Sequence, residues 1–235
     1  EQPAKDVALR DDTILVQYTS GSTRLPKGVE MSGRNILENS ALVARTWGLG
    51  QETVVVNWMP HYHDMGLMGC ILFPILFGGT SVQMSPFDAI RKPLAWLQAV
   101  QDHGGTITGG PAFIFAECLK RISPADCIDL DLSSLKQVFC GAEPVPAELL
   151  PAFQKRFEAS RLPENASFAC YGMAEQGLFI AGAQLAKPGK PYGGLAPCRL
   201  TEQTRETLKI ASADGHPVDD AEEGEIWVCG ASTTA

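Results

Sequence analysis

Five times along this chain a short apolar run gives way to a glycine-bearing polar loop, and that repetition constrains the fold more than any other feature. Ile14-Leu15-Val16 leads into Thr19-Ser20-Gly21-Ser22-Thr23, and Thr53-Val54-Val55-Val56 leads into His61-Tyr62-His63-Asp64-Met65-Gly66. Thr106-Ile107-Thr108 enters Gly109-Gly110-Pro111, Gln137-Val138-Phe139-Cys140 enters Gly141-Ala142-Glu143-Pro144, and Phe168-Ala169-Cys170 enters Tyr171-Gly172-Met173-Ala174-Glu175. Apolar, β-branched runs of this length read as buried strands. Most of the intervals carry apolar residues at helical spacing. Strands alternating with helices predict an α/β fold of parallel sheet with flanking helices, whose strands end on one edge where ligands bind. Five polar loops on that edge make a site.

The helices have local signals. Ser32 is a cap for a helix running to about Thr46, with Ile36, Val43 and Trp47 on one face and Gly48 or Gly50 ending it. The run from Gly66 to Phe77 is apolar all round, as in a helix buried on every face, with Gly78 as its stop. Thr80 to Met84 reads as a strand, Pro93 opens a short helix through Val100, and Ala112 to Arg121 is helical in pattern. A further helix is expected from about Pro146 to Ala159, while Asp126 to Asp131 reads as a solvated connection leading to a cap at Ser133. Beyond a loop at Gln184 to Gly194, Thr207–Ala211 and Gly224–Cys229 predict antiparallel pairing, the start of a small β-barrel.

The loops carry the chemistry. In Thr19, Ser20, Gly21, Ser22 and Thr23, short hydroxyls and glycine-freed N–H groups can converge on phosphate oxygens without filling their space. Lys27, between Pro26 and Gly28, adds a mobile positive charge. The spacing is not that of a Walker loop, which needs Gly-Lys-Ser/Thr opening a helix. A Ser/Gly-rich linker is the plainer reading, set against the position between an apolar strand and a Pro-Lys-Gly turn. His61, His63 and Asp64 invite a metal, yet His103 and His216 stand beside no obvious partner. Gly109-Gly110 is compatible with a bare turn or with a tunnel wall. The Asp126–Asp131 stretch lacks the glycine and terminal glutamate of a calcium loop.

Composition excludes some classes. A formal charge of -8 argues against a nucleic-acid partner, which asks for a basic face. The longest apolar run falls short of the roughly 20 residues that span a bilayer. Seven cysteines without a CxxC pair lie mostly in apolar runs, which suggests core thiols and a reducing, cytoplasmic compartment. The start without Met and the stop just after an apparent strand read as a fragment.

Taken together, the motifs resemble one family. YTSGSTRLPKG is similar to the phosphate-loop signature of the adenylate-forming superfamily, with Arg24 where glycine is common. Trp58 to Leu67 resembles the WLPxYHDMGL run of fatty acyl-AMP ligases, TGGPAF their SGGPNF with Ala112 for asparagine, GAEP their adenine-contacting turn, and YGMAE the YGxTE motif. The likeness runs from about Val16 to Ala183.

The resemblance implies ATP and Mg²⁺ as cofactors, a fatty acid activated to its adenylate with loss of pyrophosphate, and transfer to the phosphopantetheine of an acyl carrier protein. It implies phosphate binding by Thr19, Ser20, Gly21, Ser22, Thr23 and Lys27, and adenine contacts from Gly141, Ala142, Glu143, Tyr171 and Gly172. Acyl contacts would come from His63, Asp64, Met65, Gly109, Gly110, Pro111, Met173 and Ala174, with Asp64 orienting His63. Glu175 would hold the metal, and His63, Lys27 and Glu175 would carry the catalysis. Residues 1–183 would be a partial α/β adenylation core and 184–235 a partial β-rich piece, with the mobile C-terminal domain and its lysine lying further on. A chain of this extent would bind adenylate and form it slowly or not at all. An acyl-CoA ligase and a non-catalytic adenylate-binding module are the competing readings.

Overall fold

The computed structural model describes residues 12–19, 26–184, 189–219 and 222–234. Its centre is a parallel sheet of five short strands, β3 (Val54–Asn57), β4 (Thr80–Gln83), β5 (Ile107–Gly110), β6 (Gln137–Cys140) and β7 (Ser167–Ala169), in the order β4-β3-β5-β6-β7. Every residue of β5 and β6 is buried, as continuous apolar or glycine-bearing strands covered on both faces must be. The chain leaves β3 toward β4 and leaves β5 toward β6, so the sheet order reverses between β3 and β5. Crevices form at the carboxyl ends of strands at such a reversal.

The main core packs helices α4 (Pro93–Asp102), α5 (Ala112–Arg121) and α6 (Leu149–Arg156) with this sheet. Trp96 of α4 is fully buried, donates to the Thr108 hydroxyl at 2.7 Å and meets Trp58 edge-on at 6.1 Å. The Thr108 hydroxyl in turn donates to the Val56 carbonyl, so this buried polar group is satisfied. Gly109 is required by close approach, since a Cβ there would stand 2.1 Å from the Phe139 carbonyl oxygen.

The first apolar run does not join this sheet. β1 (Thr13–Thr19) pairs antiparallel with β2 (Lys27–Ser32), and Ile14 and Val16, expected to be buried, are 64% and 43% exposed. Burial falls instead on β2, where Val29 and Met31 pack with Ile36 and Val43 of α1 (Gly33–Trp47). Apolar content alone does not tell a central strand from one of a two-stranded ribbon. The α1 helix starts at Ser32, whose hydroxyl accepts from the Asn35 N–H while the Asn35 side chain accepts from the Ser32 N–H. It ends at Gly48 with φ +66°, in the left-handed conformation glycine adopts at little cost.

Other expectations shift. The run after Gly66 is a π-helix (Met65–Leu72) followed by the single turn α2 (Phe73–Leu76). Met68, Cys70 and Phe73 are buried, but Ile75 and Leu76 are exposed, so the segment is not covered on every face. A short α3 (Pro86–Arg91) precedes α4, and α6 is shorter at both ends than its apolar pattern suggested. Ser133 caps no helix; its N–H donates to the Asp131 carboxylate in a turn, and Cys127 and Leu130 of the supposed solvated stretch are buried.

Past β7 the chain forms a hairpin of β8 (Tyr171–Met173) and β9 (Leu178–Ala181). Then come the single turn α7 (Glu202–Arg205) and the antiparallel pair β10 (Leu208–Ala211) and β11 (Glu225–Val228), the small β-structure expected near the end. Among the described residues no helix is long and apolar enough to cross a membrane.

Candidate active site

A cavity of about 540 Å³ lies between one face of the sheet and a cover made by α1, the π-helix and the β8–β9 hairpin. Its mouth is polar. Thr19 at the end of β1, His63 and Asp64 after β3, Ala142 after β6 and Tyr171 to Glu175 after β7 all line it. Four of the five polar loops do stand at the carboxyl edge of the sheet; the fifth comes from the separate hairpin. A hydrogen bond from the Gln17 side chain to the Tyr62 carbonyl, at 3.3 Å, joins that hairpin to the His63 loop. Inside, the cavity is apolar, lined by Val55, Phe73 and Phe139 among others.

His63 is one of the titratable groups at the mouth. Its Nδ1 lies 2.8 Å from Asp64 Oδ1, and the hydrogen bond to Asp64 raises the imidazole pKa above its ordinary 6.5 although partial burial opposes the shift. The same carboxylate oxygen accepts from the Met65 N–H at 2.7 Å, which anchors it at the first turn of the π-helix. The pair therefore favours the protonated imidazole and holds the ring in orientation at the mouth.

Tyr171, Gly172, Met173, Ala174 and Glu175 follow one another along the wall. Gly172 makes this possible, since a Cβ there would stand 2.0 Å from the Leu178 carbonyl oxygen and part β8 from β9. Ala142 sits at φ +67°, a left-handed conformation costing an L-residue about 1–2 kcal/mol, at the tip of a loop whose neighbour Glu143 accepts from the Phe113 N–H at 2.9 Å. Glu143 thus ties its loop to the start of α5 and is not part of the cavity wall. Gly109, Gly110, Pro111 and Gly141 do not line the cavity either; Gly109 and Gly110 are buried strand residues against Phe139 and Trp58. Lys27 is exposed and pairs in register with Thr19, which lines the mouth. Ser20, Gly21, Ser22 and Thr23, with Arg24, lie outside the described residues.

Sequence reasoning missed Gln17, Tyr18 and Tyr62 at the mouth and Phe139 and Trp47 inside. Trp47 was legible as a helix-face residue, but nothing in its spacing says which cluster it meets. Among the described residues no three His, Cys, Asp or Glu side chains gather as a metal cage.

A parallel sheet with a cleft at the carboxyl ends of its strands has the ligand-binding arrangement of open α/β domains. The chain belongs to the AMP-binding enzyme family, whose profile matches residues 1–235. It is 36% identical over 243 residues to a medium-chain-fatty-acid–[acyl-carrier-protein] ligase of Teredinibacter turnerae, covering 94% of this chain and 38% of that protein. It is 37% identical over 184 residues to the 4-hydroxyphenylalkanoate adenylyltransferase of Mycobacterium tuberculosis, covering 77% and 29%. The fatty acyl-adenylate ligase of Legionella pneumophila, solved with acyl adenylate and pyrophosphate, superposes with a TM-score of 0.81 at 33% identity over 95% of this chain and 43% of that one. The chain thus spans less than half the length of these relatives, and the likeness to fatty acyl-AMP ligases seen in its motifs is borne out.

Proposed function

We propose that the protein activates a fatty acid with ATP, releasing pyrophosphate, and passes the acyl group to the phosphopantetheine thiol of an acyl carrier protein. The observation that carries this reading is the two-part cavity, with a polar mouth at Thr19, His63 and Glu175 and an apolar interior. A molecule with an anionic head and a lipid tail fits such a shape. The relatives named above, one an acyl-carrier-protein ligase and one solved with an acyl adenylate, support it.

In this reading a carboxylate oxygen of the acid attacks the α-phosphorus of ATP, and the bond from that phosphorus to the bridging oxygen breaks as pyrophosphate leaves. The hydroxyl loop and Lys27 hold the phosphates, and protonated His63 attracts the carboxylate and holds it in line. Glu175 fits a Mg²⁺ site, because that ion takes one or two carboxylates plus phosphate oxygens and not a cage; bound there, it would spread the triphosphate's charge. Tyr171 and Gly172, with the loop from Gly141 to Glu143, would receive the adenine. Residues 1–183 act as the adenylating core and 184–235 as the start of a second, β-rich piece. A cytoplasmic setting suits seven free cysteines, of which Cys70 and Cys140 are pushed up to about 12 by burial and so stay as thiols.

The test is product analysis by mass spectrometry with the full-length protein, ATP, a panel of fatty acids, and either CoA or a holo carrier protein. Acyl adenylate followed by acylated carrier protein is expected; acyl-CoA as the main product would replace this reading with the CoA ligase. Lys27→Ala and Glu175→Ala, both at exposed positions, should each lower adenylate formation about 10²–10³-fold with the melting temperature unchanged.

A further inference from the structure

The inner end of the cavity is closed by three side chains, Trp47, Leu49 and Ile107. All three also line a second, polar cleft of about 310 Å³ formed by residues at the amino ends of β3, β5 and β6, among them Thr53, Thr106 and Gln137. The cavity therefore crosses the domain from the carboxyl edge of the sheet to its amino edge, and one layer of side chains separates its apolar interior from the polar cleft beyond.

That layer is built by a helix end. The Gly48 and Leu49 N–H groups both return to the Ala44 carbonyl, and the left-handed Gly48 reverses the chain so that Trp47 and Leu49 reach the same wall. The Trp47 indole is clamped. Its Nε1–H donates to the Gly182 carbonyl at 2.8 Å, its ring stacks with Phe139 at 5.9 Å and meets Phe168 and Phe179 edge-on, and the backbone carbonyl of Trp47 accepts from the Gln137 side chain at 2.6 Å. A ring fixed by a hydrogen bond and three aromatic neighbours does not swing aside for a longer chain.

We propose that the Trp47–Leu49 wall sets the longest acyl chain the protein accepts, the terminal methyl of the acid ending against it. This rests on the fatty-acid reading of the same cavity. Acids longer than the optimum are excluded because their last carbons meet a fixed indole and, past it, a polar cleft where apolar surface gains nothing.

The experiment compares full-length wild type, Leu49→Ala and Trp47→Leu in adenylate formation across a series of straight-chain acids. The readout is the kcat/KM of an acid two carbons past the wild-type limit, divided by that of the wild-type optimum. Leu49→Ala thins the wall while leaving the aromatic stack whole, so it keeps the test usable where Trp47→Leu does not fold. The ratio is expected to rise about tenfold or more, the discrimination a hydrophobic pocket exerts on a methylene. An unchanged ratio in Leu49→Ala, whatever its overall rate, overturns the wall. A wild type that forms no acyl adenylate with any acid overturns the fatty-acid reading, and the wall with it.

Discussion

The five-stranded sheet and the β1–β2 hairpin both deliver residues to the same mouth, yet they are anchored in opposite ways. β5 and β6 are buried at every position, and β6 brings Ala142 to the rim by sheet geometry alone. β1 alternates exposed and half-buried residues, and its place depends on Val29 and Met31 of its partner strand and on the Gln17–Tyr62 hydrogen bond. A two-stranded ribbon is marginal without such packing. Under the proposed function, His63 and Tyr171 would act from rigid scaffold and the Thr19 hydroxyl from a separate, lightly held element.

The largest effect expected on the sheet side is Trp96→Ala, which removes a fully buried ring and leaves the Thr108 hydroxyl without its donor. It should cost about 3–5 kcal/mol in denaturant unfolding of the whole protein. A loss under 1 kcal/mol would break the contrast.

A second variant sharpens how the mouth works. The raised pKa of His63 means that its proton, and the stability it lends, is present below the unfolded value of 6.5 and lost as pH rises through the folded value. Affinity for the acid should fall over that same upper range. In Asp64→Asn the carboxylate that holds the proton is gone, so the rise in KM for the acid should begin at lower pH. An identical pH profile of KM would show that His63 does not face the carboxylate.

The smallest effect belongs to the hairpin. Val16→Ala, at a position 43% exposed, should change stability by no more than about 0.5 kcal/mol. A loss like that of Trp96→Ala would mean that β1 is as firmly built in as the sheet.

Much of this was legible beforehand. Ser32 and Gly48 bounded α1, the span Ala112–Arg121 matched α5, and Gln137–Cys140 matched β6, because caps and uninterrupted apolar runs are local signals. The three sheet loops that reach the rim, carrying His63, Ala142 and Tyr171, were legible for the same reason: glycine and polar residues mark where a buried strand must end. Gly109 and Gly110 were not, since a glycine pair looks alike whether it opens a tunnel or lets two strands and an indole approach.

Residue order by itself determined the alternation of strands and helices, the edge to which the loops belong, and the family, all of which depend on neighbours close in the chain. Tertiary structure alone decided that Ile14-Leu15-Val16 stands outside the sheet, that Glu143 braces α5, and that Trp47 closes the cavity. Those outcomes hang on contacts between residues up to 135 positions apart, as between Trp47 and Gly182, and local pattern carries no record of which distant surface an apolar side chain will meet.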